Sequence, residues 1–490
     1  FRSGLLRITF RRYCSNEVRV RFAPSPTGEL HLGGLRTALF NYLYAKRHDG
    51  KFLIRIEDTD QTRTVEGCEE RIIDDCKWMG IVPDEPIRKQ SEHSDVYKEH
   101  AEKLIESGHA YRCFCTPDRL KKLRETAQAK GKSSMYDRKC LYLTDEEIKE
   151  KLDNNETYTI RMNIPRNEQL IVKDIVYDTI KFECGSLDDQ ILLKSDGLPT
   201  YHLASVVDDH HQGITHVIRG EEWMPSLPKH MLLYRSFQWQ PPRFAHLPLL
   251  LNPDKSKLSK RQDSSSLNWY RGEGFEKESI LSYIAALGWT PTKPDEDSSR
   301  YLEMKDLISR FSLDEVSKSG AIVDIKKLYS INSQYLNYLS SNNIDLLVKM
   351  FLKEMNLFMG FNLEDKFSSD YIKNVVQLCT SRMRIVSEFT RISYFFESPN
   401  YESQQAKEMK EKVWQAEKSS NWMKIMNEKL KDIPDEDFTV DTISQKLNEL
   451  CEEESVKMGK VFPSFRYALT GSFVGAGIPE TIHVLGKETT

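Results

Sequence analysis

VRVRFAPSPTGELHLGG, residues 18–34, is the stretch of this chain that decides its fold. Val18 to Ala23 has the apolar character of a buried strand, and the prolines and glycine of 24–28 predict a turn. From Leu32 to Arg47 apolar residues recur at helical spacing, and Lys51 to Glu57 predicts a second strand. This strand–helix–strand order is typical of a doubly wound nucleotide-binding sheet, whose ligands lie at the carboxyl ends of the strands.

The rest of the chain changes character twice. A helix is predicted near Val65 to Met79, and the charged residues 111–190 indicate an insertion. Ile191 to Val207 and Thr215 to Arg219 return to strand character and are expected to complete the sheet. From about residue 330 onward the chain is helix-forming almost throughout.

Two motifs far apart in the chain suit phosphate. A helix that starts at Leu32 points free N–H groups at the turn before it, and such a terminus favours anions. His31 can donate hydrogen bonds to a triphosphate, and the glycines at 33 and 34 let a nucleotide approach the backbone. Downstream, KLSKR at 257–261 offers two ammonium groups and a guanidinium to a pyrophosphate leaving group.

These motifs resemble the paired signatures of class I aminoacyl-tRNA synthetases, and R-x-A-P-S-P-T-G before the histidine resembles their glutamyl subgroup. HLGG departs from the family's His-Ile-Gly-His form at its last position, so His31 is expected to act without a second imidazole. The resemblance implies His31, Lys257 and Lys260 as catalytic residues. It also implies a site for ATP with Mg²⁺ formed by His31, Gly33, Gly34, Glu222, Lys257, Leu258, Ser259, Lys260 and Arg261.

The same resemblance implies an amino-acid site. A side-chain carboxylate needs a fixed planar cation, which arginine supplies bidentately. Arg21 and Arg219 are predicted at strand ends that face one crevice, and by resemblance Glu57 holds the substrate ammonium. Simple ion pairing between Arg21 and Glu57 is the alternative. The residues implied for glutamate are Arg21, Phe22, Ala23, Ser25, Glu57, Tyr201, His202, Leu203, Ala204, Ser205, Arg219 and Trp223, with Ser205 where bacterial relatives commonly carry Asn.

Three cysteines in the predicted insertion resemble a zinc site of some bacterial glutamyl synthetases, whose last ligand is often His. The matching residues are Cys113, Cys115 and Cys140, with Tyr136 or water left as the fourth ligand. Structural zinc prefers four nitrogen or sulfur ligands. Zn²⁺ is therefore not expected, although the residues admit it, and free thiols are the alternative.

The helical tail resembles the bacterial-type anticodon-binding module. By this resemblance Arg382 occupies the position that reads the first anticodon base in relatives that separate glutamate from glutamine tRNAs. Arg384 and Arg466 are candidates for phosphate or stacking contacts with tRNA. A plain surface charge is the alternative for each of the three.

Composition limits the remaining possibilities. The chain has 490 residues, of which 39% are hydrophobic, and no apolar run reaches the length of a membrane span, so no membrane partner is expected. A net charge of −4 means that RNA must meet a local basic surface. The first fifteen residues contain arginines and no acid, which is typical of a mitochondrial transit peptide, with a disordered basic arm as the alternative. Nine scattered cysteines do not indicate a disulfide framework.

The sequence thus predicts an α/β Rossmann-type catalytic domain with an α+β insertion, followed by an all-α anticodon-binding domain. The expected boundaries are 1–15 for the transit peptide, 16–110 and 191–260 for the two catalytic halves, 111–190 for the acceptor-binding insertion, 261–330 for a stem-contact linker and 331–490 for the helical domain.

The expected function is ATP-dependent ligation of L-glutamate to tRNA(Glu) through glutamyl-adenylate, by a bacterial-type monomer in the mitochondrial matrix. One alternative enzyme also glutamylates tRNA(Gln), and another is a glutaminyl-tRNA synthetase, which the helical tail disfavours. A catalytically idle RNA-binding protein is disfavoured by His31 and Lys260. A small-molecule adenylyltransferase would leave the helical tail unexplained.

Overall fold

The computed structural model describes residues 17–60, 62–131, 135–258, 266–290 and 300–489. These residues form two compact units. The first holds the described residues up to Trp269 together with 281–290 and 302–324, and the second holds Tyr270–Ile280, 300–301 and the described residues from Ile325 onward. No helix in these ranges is long and apolar enough to cross a membrane.

Both strands and helices occur up to residue 322. In chain order they are β1 (Arg19–Phe22), α1 (Leu32–Arg47), β2 (Lys51–Ile56), α2 (Cys68–Trp78), β3 (Arg88–Lys89), α3 (Ser94–Glu106), β4 (Ala110–Cys113), α4 (Pro117–Ala129), α5 (Asp145–Asp153), β5 (Thr159–Met162), β6 (Gln169–Asp174), β7 (Asp178–Glu183), β8 (Ile191–Leu193), α6 (Tyr201–His211), β9 (His216–Gly220), α7 (Leu227–Ser236), β10 (Arg243–Leu247), β11 (Leu250–Leu251), α8 (Leu267–Gly272), α9 (Lys277–Ala285), α10 (Met304–Arg310) and β12 (Ala321–Ile322).

Helices follow to the end of the described chain. They are α11 (Ile325–Asn342), α12 (Ile344–Met359), α13 (Ser369–Thr380), α14 (Gln404–Val413), α15 (Ala416–Lys431), α16 (Val440–Glu453), α17 (Met458–Thr470) and α18 (Ile478–Leu485). No strand occurs between residues 325 and 489, and the α/β unit followed by a helical unit confirms the predicted order of fold classes.

The first helix begins and ends at the predicted residues. Leu32, Leu35, Leu39 and Leu43 recur every three or four positions, and all four are buried. Basic side chains stand in its last turn, where they oppose the negative end of the helix dipole. Periodicity and charge agree here, which is why sequence alone located the helix.

Two sets of parallel strands meet at β1. In one set β1 pairs with β2 and β2 with β3, and in the other β10 lies between β9 and β6, with β7 antiparallel at the edge. The backbone N–H of Thr215 donates to the carbonyl of Arg19 at 2.9 Å and joins the two sets. The carboxyl ends of β1, β2 and β9 consequently lie at one edge, where this fold class binds its ligands.

The predicted strand over Ile191 to Val207 is wrong for its second half. Strand β8 ends at Leu193, and Tyr201–His211 is the helix α6. Residues 203–207 are all buried, and a short run buried on every side has no amphipathic period that separates helix from strand. β8 also pairs antiparallel with β5, so it is not part of the parallel sheet.

The charged region 111–190 contributes to two sheets. β4, β5 and β8 form a small antiparallel sheet, whereas β6 pairs in parallel with β10 through Phe244 and Asp174. Asp174 is therefore brought to the same sheet as β9, next to the predicted amino-acid site. The proposed limits of the insertion stay a prediction.

The described part of the helical unit has two large hydrophobic cores and a small cluster of Ala406, Met409 and Tyr467. One lies among α11, α12, α13 and the 3-10 segment Val386–Phe395, and includes Phe351 and Phe389. The other lies among α15, α16, α17 and α18, and includes Trp422 and Leu447. Each helix buries one face against a neighbour, so the unit needs no sheet to form its cores.

Candidate active site

His31 caps helix α1 with its own side chain. Its Nδ1 accepts a hydrogen bond from the backbone N–H of Gly34 at 3.1 Å, and a Cβ at Gly33 would lie 3.1 Å from the imidazole Cε1. The absence of a side chain at Gly33 thus lets the ring fold over the first turn. A neutral imidazole that accepts on Nδ1 carries its proton on Nε2. His31 can therefore offer an N–H to an anion at the helix N-terminus.

The second motif begins beside the first. The N–H of Leu258 donates to the carbonyl of Leu250 at 3.0 Å, and the Leu250 side chain lies 3.9 Å from the Cβ position of Gly33. After the undescribed residues 259–265, Ser266 forms a β-bridge with His31. Ser259, Lys260 and Arg261 lie outside the described residues, but the chain enters and leaves that segment next to the turn of His31.

Two residues predicted to contact nucleotide share a cavity. Glu222 and Lys257 both line a space of about 810 Å³, together with Tyr177 and Leu249. The Glu222 carboxylate lies over Gly220, where a Cβ would come within 2.2 Å of it. This volume is within the range of small-molecule and cofactor sites.

Arg21 and Glu57 do not bond each other. Arg21 is buried in β1, and its Nε donates to Asp209 at 3.0 Å. Glu57, directly after β2, accepts from Arg55 at 3.0 Å. Arg55 in turn donates to Asp209 at 2.8 Å, so two arginines share one carboxylate. Simple pairing of Arg21 with Glu57 is therefore not how the protein holds them.

The pKa values of Asp209 and Glu57 are shifted in opposite directions. Burial raises the pKa of Asp209, but the positive charges of Arg21 and Arg55 outweigh it and lower that pKa below its usual value. Burial dominates for Glu57 and raises its pKa, with Arg55 and Arg21 opposing. Asp209 thus stays ionised to lower pH than Glu57 does.

Sequence reasoning missed Arg55 and Asp209. The alternation of Phe52, Ile54 and Ile56 along β2 predicts that these three residues face inward, which would place Arg55 on the outer face. A parallel sheet is covered on both faces, so Arg55 has no solvent exposure. Asp209 lies on α6, four residues after Ser205, a spacing that only the correct helix assignment reveals.

Arg219 is fixed by acceptors on several sides. Its Nη1 donates to the Tyr201 hydroxyl at 3.0 Å and its Nη2 to the carbonyl of Trp223 at 3.2 Å. The Tyr201 and Trp223 rings lie 4.4 Å apart between centroids. The structure therefore brings these three predicted glutamate ligands together, with His246 at Arg219 Nε as a neighbour that the sequence did not indicate.

The remaining predicted glutamate ligands differ in setting. Ser205 is buried, and its hydroxyl lies 3.5 Å from Arg55. His202 lines a second cavity of about 390 Å³ beside Tyr201 and Lys229. Phe22, Leu203 and Ala204 are buried, Ala23 is half-buried, and Ser25 is exposed in the turn.

The three cysteines of the predicted metal site do meet. Their sulfur atoms lie within 4.8 Å of one another, and among the described residues no histidine or carboxylate completes this group. The Tyr136 hydroxyl lies 3.4 Å from the sulfur of Cys113 and 3.3 Å from that of Cys115. Three sulfurs and a phenol oxygen can surround a cation, but they give only three of the four ligands that structural zinc prefers.

The three arginines of the helical unit are held differently. Arg384 forms an ion pair with Glu388 and lies 4.9 Å from the centre of the Tyr329 ring. Arg466 is half-buried and donates to the carbonyl of Ala476 at 2.7 Å. Arg382 is exposed just after α13 and forms no ion pair with the described part of the chain. Of the three, Arg382 has the side chain most available to a partner.

Known proteins resemble the chain along nearly its whole length. Residues 17–330 match the family described as tRNA synthetases class I (E and Q), catalytic domain, and residues 345–490 match the anticodon binding domain family. The chain is 39% identical to the glutamate–tRNA ligase of Chlorobaculum parvum over 96% of both chains. It is 40% identical to that of Flavobacterium johnsoniae, covering 97% of this chain and 98% of the relative.

A solved structure agrees with these relatives. The glutamate tRNA ligase of Elizabethkingia meningosepticum, crystallised in complex with its amino acid, superposes with a TM-score of 0.83. The two sequences are 35% identical, and the match covers 96% of this chain and 97% of the other.

Proposed function

We propose that this chain, which belongs to the class I aminoacyl-tRNA synthetases of the glutamate and glutamine family, is a glutamate–tRNA ligase. The observation that carries the proposal is the pair of buried arginines at the ends of β1 and β9. Arg21 is oriented by Asp209, and Arg219 is oriented by His246, Tyr201 and the Trp223 carbonyl. Two oriented guanidiniums at one sheet edge suit a dicarboxylic amino acid.

The reaction then needs positioning more than a protein nucleophile. Glutamate, held by Arg21, Arg219 and Glu57, attacks the α-phosphorus of ATP through its α-carboxylate, and pyrophosphate leaves. The His31 N–H and the cations of Lys257 and Lys260 stabilise negative charge on the phosphates, as Mg²⁺ does when bound. A ribose hydroxyl of tRNA(Glu) next attacks the activated carbonyl, releasing AMP.

Amino-acid-dependent exchange of pyrophosphate into ATP tests this function. We expect exchange with glutamate when tRNA(Glu) is present. Exchange with glutamine in its place would indicate a glutaminyl enzyme. Absence of exchange with either amino acid and its tRNA would overturn the proposal and favour an RNA-binding role without catalysis.

Choice of tRNA is assigned to Arg382 by the resemblance. Its exposed guanidinium, which forms no ion pair with the described residues, supports that assignment. Replacing Arg382 with Gln is expected to lower the ratio of tRNA(Glu) to tRNA(Gln) charging by roughly 10-fold, the effect of one lost base contact. Charging both purified tRNAs measures the ratio. Arg391→Gln, an exposed arginine paired with Glu388, is the matched control. An equal ratio in wild type and the Arg382 variant would remove Arg382 from this role.

Glutamate binding is expected to weaken at acidic pH because the pKa of Glu57 is raised by burial. Protonation removes the charge that holds the substrate ammonium, so KM for glutamate should rise as pH falls through that raised value. The measurement is KM against pH in the exchange assay. Glu57→Gln should give a high KM with little pH dependence below neutrality. If KM for glutamate rises at acidic pH in Glu57→Gln as it does in the wild type, a group other than Glu57 causes the rise.

Zinc well below one equivalent per chain is expected from elemental analysis of protein purified without chelators. Within the part of the chain that the structure describes, no fourth nitrogen or sulfur ligand joins the sulfurs of Cys113, Cys115 and Cys140, and a phenol is a poor substitute. A Cys140→Ser variant measured in parallel gives the background of loosely bound metal. One zinc per wild-type chain, lost in that variant, would contradict this expectation.

We propose that the protein acts as a monomer in the mitochondrial matrix. The arginine-rich, acid-free composition of residues 1–15, which lie outside the described structure, supports this location. A fluorescent fusion to the full chain should enter mitochondria, whereas one with Arg2, Arg7, Arg11 and Arg12 changed to Ser should not. Equal import of both fusions would contradict the role of this segment, and light scattering tests the monomer.

A further inference from the structure

A line of hydrogen bonds, all but one of them buried, runs through Arg219. On one side Asp174 Oδ2 lies 2.7 Å from His246 Nδ1, and His246 Nε2 lies 3.1 Å from Arg219 Nε. On the other, Arg219 Nη1 lies 3.3 Å from His230 Nδ1, and His230 Nε2 lies 3.3 Å from His202 Nδ1. The side chains of Asp174 and His246 have no solvent exposure.

Arg219 fixes the direction of every bond in this line. A guanidinium can only donate, so the nitrogens that face it, His246 Nε2 and His230 Nδ1, both accept. A neutral imidazole that accepts on one nitrogen carries its proton on the other. His246 therefore donates from Nδ1 to Asp174, and His230 donates from Nε2 to His202. Burial lowers the pKa of both His246 and His230, which keeps the rings neutral.

Asp174 can act only as an acceptor toward His246. Its other oxygen, Oδ1, accepts from the backbone N–H groups of Val176 at 2.9 Å and Tyr177 at 3.0 Å. Burial raises the pKa of Asp174, but its hydrogen bond with His246 and the backbone N–H groups outweigh burial and lower it. The ionised carboxylate is thus locked in place by the backbone, with Oδ2 left for the imidazole.

We propose that Asp174 and His246 are positioning residues for amino-acid selection, which act by holding the Arg219 guanidinium in the one plane that receives a carboxylate beside Tyr201. The inference rests on the proposed function, which makes Arg219 a ligand of glutamate. An arginine on a strand end turns about several torsions, and an acceptor at Nε, together with the acceptors at Nη1 and Nη2, removes that freedom before substrate arrives. A preoriented guanidinium binds a planar carboxylate at lower entropic cost.

The Asp174→Asn variant tests this inference because it keeps the shape of the side chain and reverses the direction of its hydrogen bond with His246. The amide oxygen must face the two backbone N–H groups, which leaves the amide nitrogen facing His246 Nδ1. That nitrogen donates, so the histidine proton moves to Nε2 and opposes Arg219 Nε–H. KM for glutamate should rise roughly 10- to 100-fold, the range for one lost hydrogen bond to a charged group, while kcat changes much less. Preference for glutamate over glutamine should fall with it.

Two further variants separate positioning from loss of fold. In His246→Gln the amide oxygen can accept from Arg219 while the amide nitrogen donates to Asp174, so KM should stay within about 3-fold of wild type. Asp189→Asn makes the same change at an equally unexposed carboxylate, which pairs with Arg138 and Arg166 instead. It should lower thermal stability without raising KM for glutamate. Equal KM increases in Asp174→Asn and Asp189→Asn would overturn the inference.

The tautomer of His246 gives a readout that needs no catalysis. With ¹⁵N-labelled histidine, the wild-type ring should carry its proton on Nδ1, and the signal is assigned by its loss in His246→Gln. A proton on Nε2 in the wild type would overturn the inference even if Asp174→Asn does not fold. A wild-type protein with the expected tautomer but no glutamate-dependent exchange would instead overturn the proposed function.

Discussion

Replacing His31 with Asn is expected to slow glutamate-dependent pyrophosphate exchange by roughly 10²- to 10³-fold, the effect of removing one preorganised donor to developing charge. Asn is a favourable N-cap and can accept from the Gly34 N–H as the imidazole does. It lacks the Nε2–H that we propose as a donor to the phosphates. The chain has no second histidine in this motif, so no neighbouring imidazole takes over.

His31→Ala separates the two roles of this side chain. Alanine removes both the cap and the donor, so it should lose about 1 kcal/mol of stability in addition to activity. Thermal unfolding and the exchange rate are measured on the same preparations. If the Asn variant exchanges as fast as wild type, His31 only caps the helix. If both variants lose stability equally, the capping bond seen at Gly34 contributes nothing.

Replacing Arg55 with Met is expected to destabilise the protein by about 3–5 kcal/mol, the cost of breaking a buried ion pair from one side. Arg55 has no solvent exposure and bonds to Asp209, Glu57 and Gln212. Its removal leaves buried carboxylates with less compensation. The midpoint of chemical unfolding, followed by a signal from the α/β unit, measures the change.

The pH dependence of that loss has a defined sign. Arg21 and Arg55 lower the pKa of Asp209, so the stability from this carboxylate is present above the unfolded pKa and is lost as pH falls through the lower folded value. Without Arg55 the pKa of Asp209 rises, and protonation relieves the buried charge. The deficit of Arg55→Met should therefore shrink on acidification from neutral pH. A constant deficit would show that lost packing, not charge, causes it.

A control variant and a double variant test whether lost ion pairing causes the destabilisation in Arg55→Met. Arg235→Met breaks a partly exposed pair with Glu168 and should cost about 0–1 kcal/mol. The double variant Arg55→Met with Asp209→Asn removes one of the stranded charges and should recover part of the loss. A double variant no more stable than Arg55→Met would place the cost on Glu57 instead.

Sequence patterns predicted those parts of the fold in which local signals agree. The turn at 24–28, the helix from Leu32 and the strand from Lys51 each have a period and a boundary signal, and the structure has them at or within one or two residues of the expected places. The prediction was wrong for helix α6 because residues buried on all sides show no helical period of apolar and polar residues. Its assignment as strand concealed Asp209, since i, i+4 spacing has meaning only on a helix.

The candidate site divides in the same way. His31, Arg21 and Arg219 were named as site residues because their motifs resemble those of a known family, and their roles stay predictions. Asp174 and His246 were not, because each is an ordinary residue until the sheet places them together: they lie 72 positions apart and meet only through the pairing of β6 with β10. Long-range partners of this kind carry no local pattern for sequence reasoning to detect.

The contact of Arg21 with Asp209 also bears on how the protein is made. The two residues are separated by 188 positions, and β1 joins the second set of strands through the hydrogen bonds of Arg19 with Thr215. At a synthesis rate of about 5–20 residues per second, β1 leaves the ribosome roughly 10–40 s before these partners exist. The antiparallel sheet of β4 and β5 has closer partners and can form in the meantime. In a chain that starts to fold during synthesis, the edge of β1 that Thr215 joins therefore stays unpaired throughout this interval.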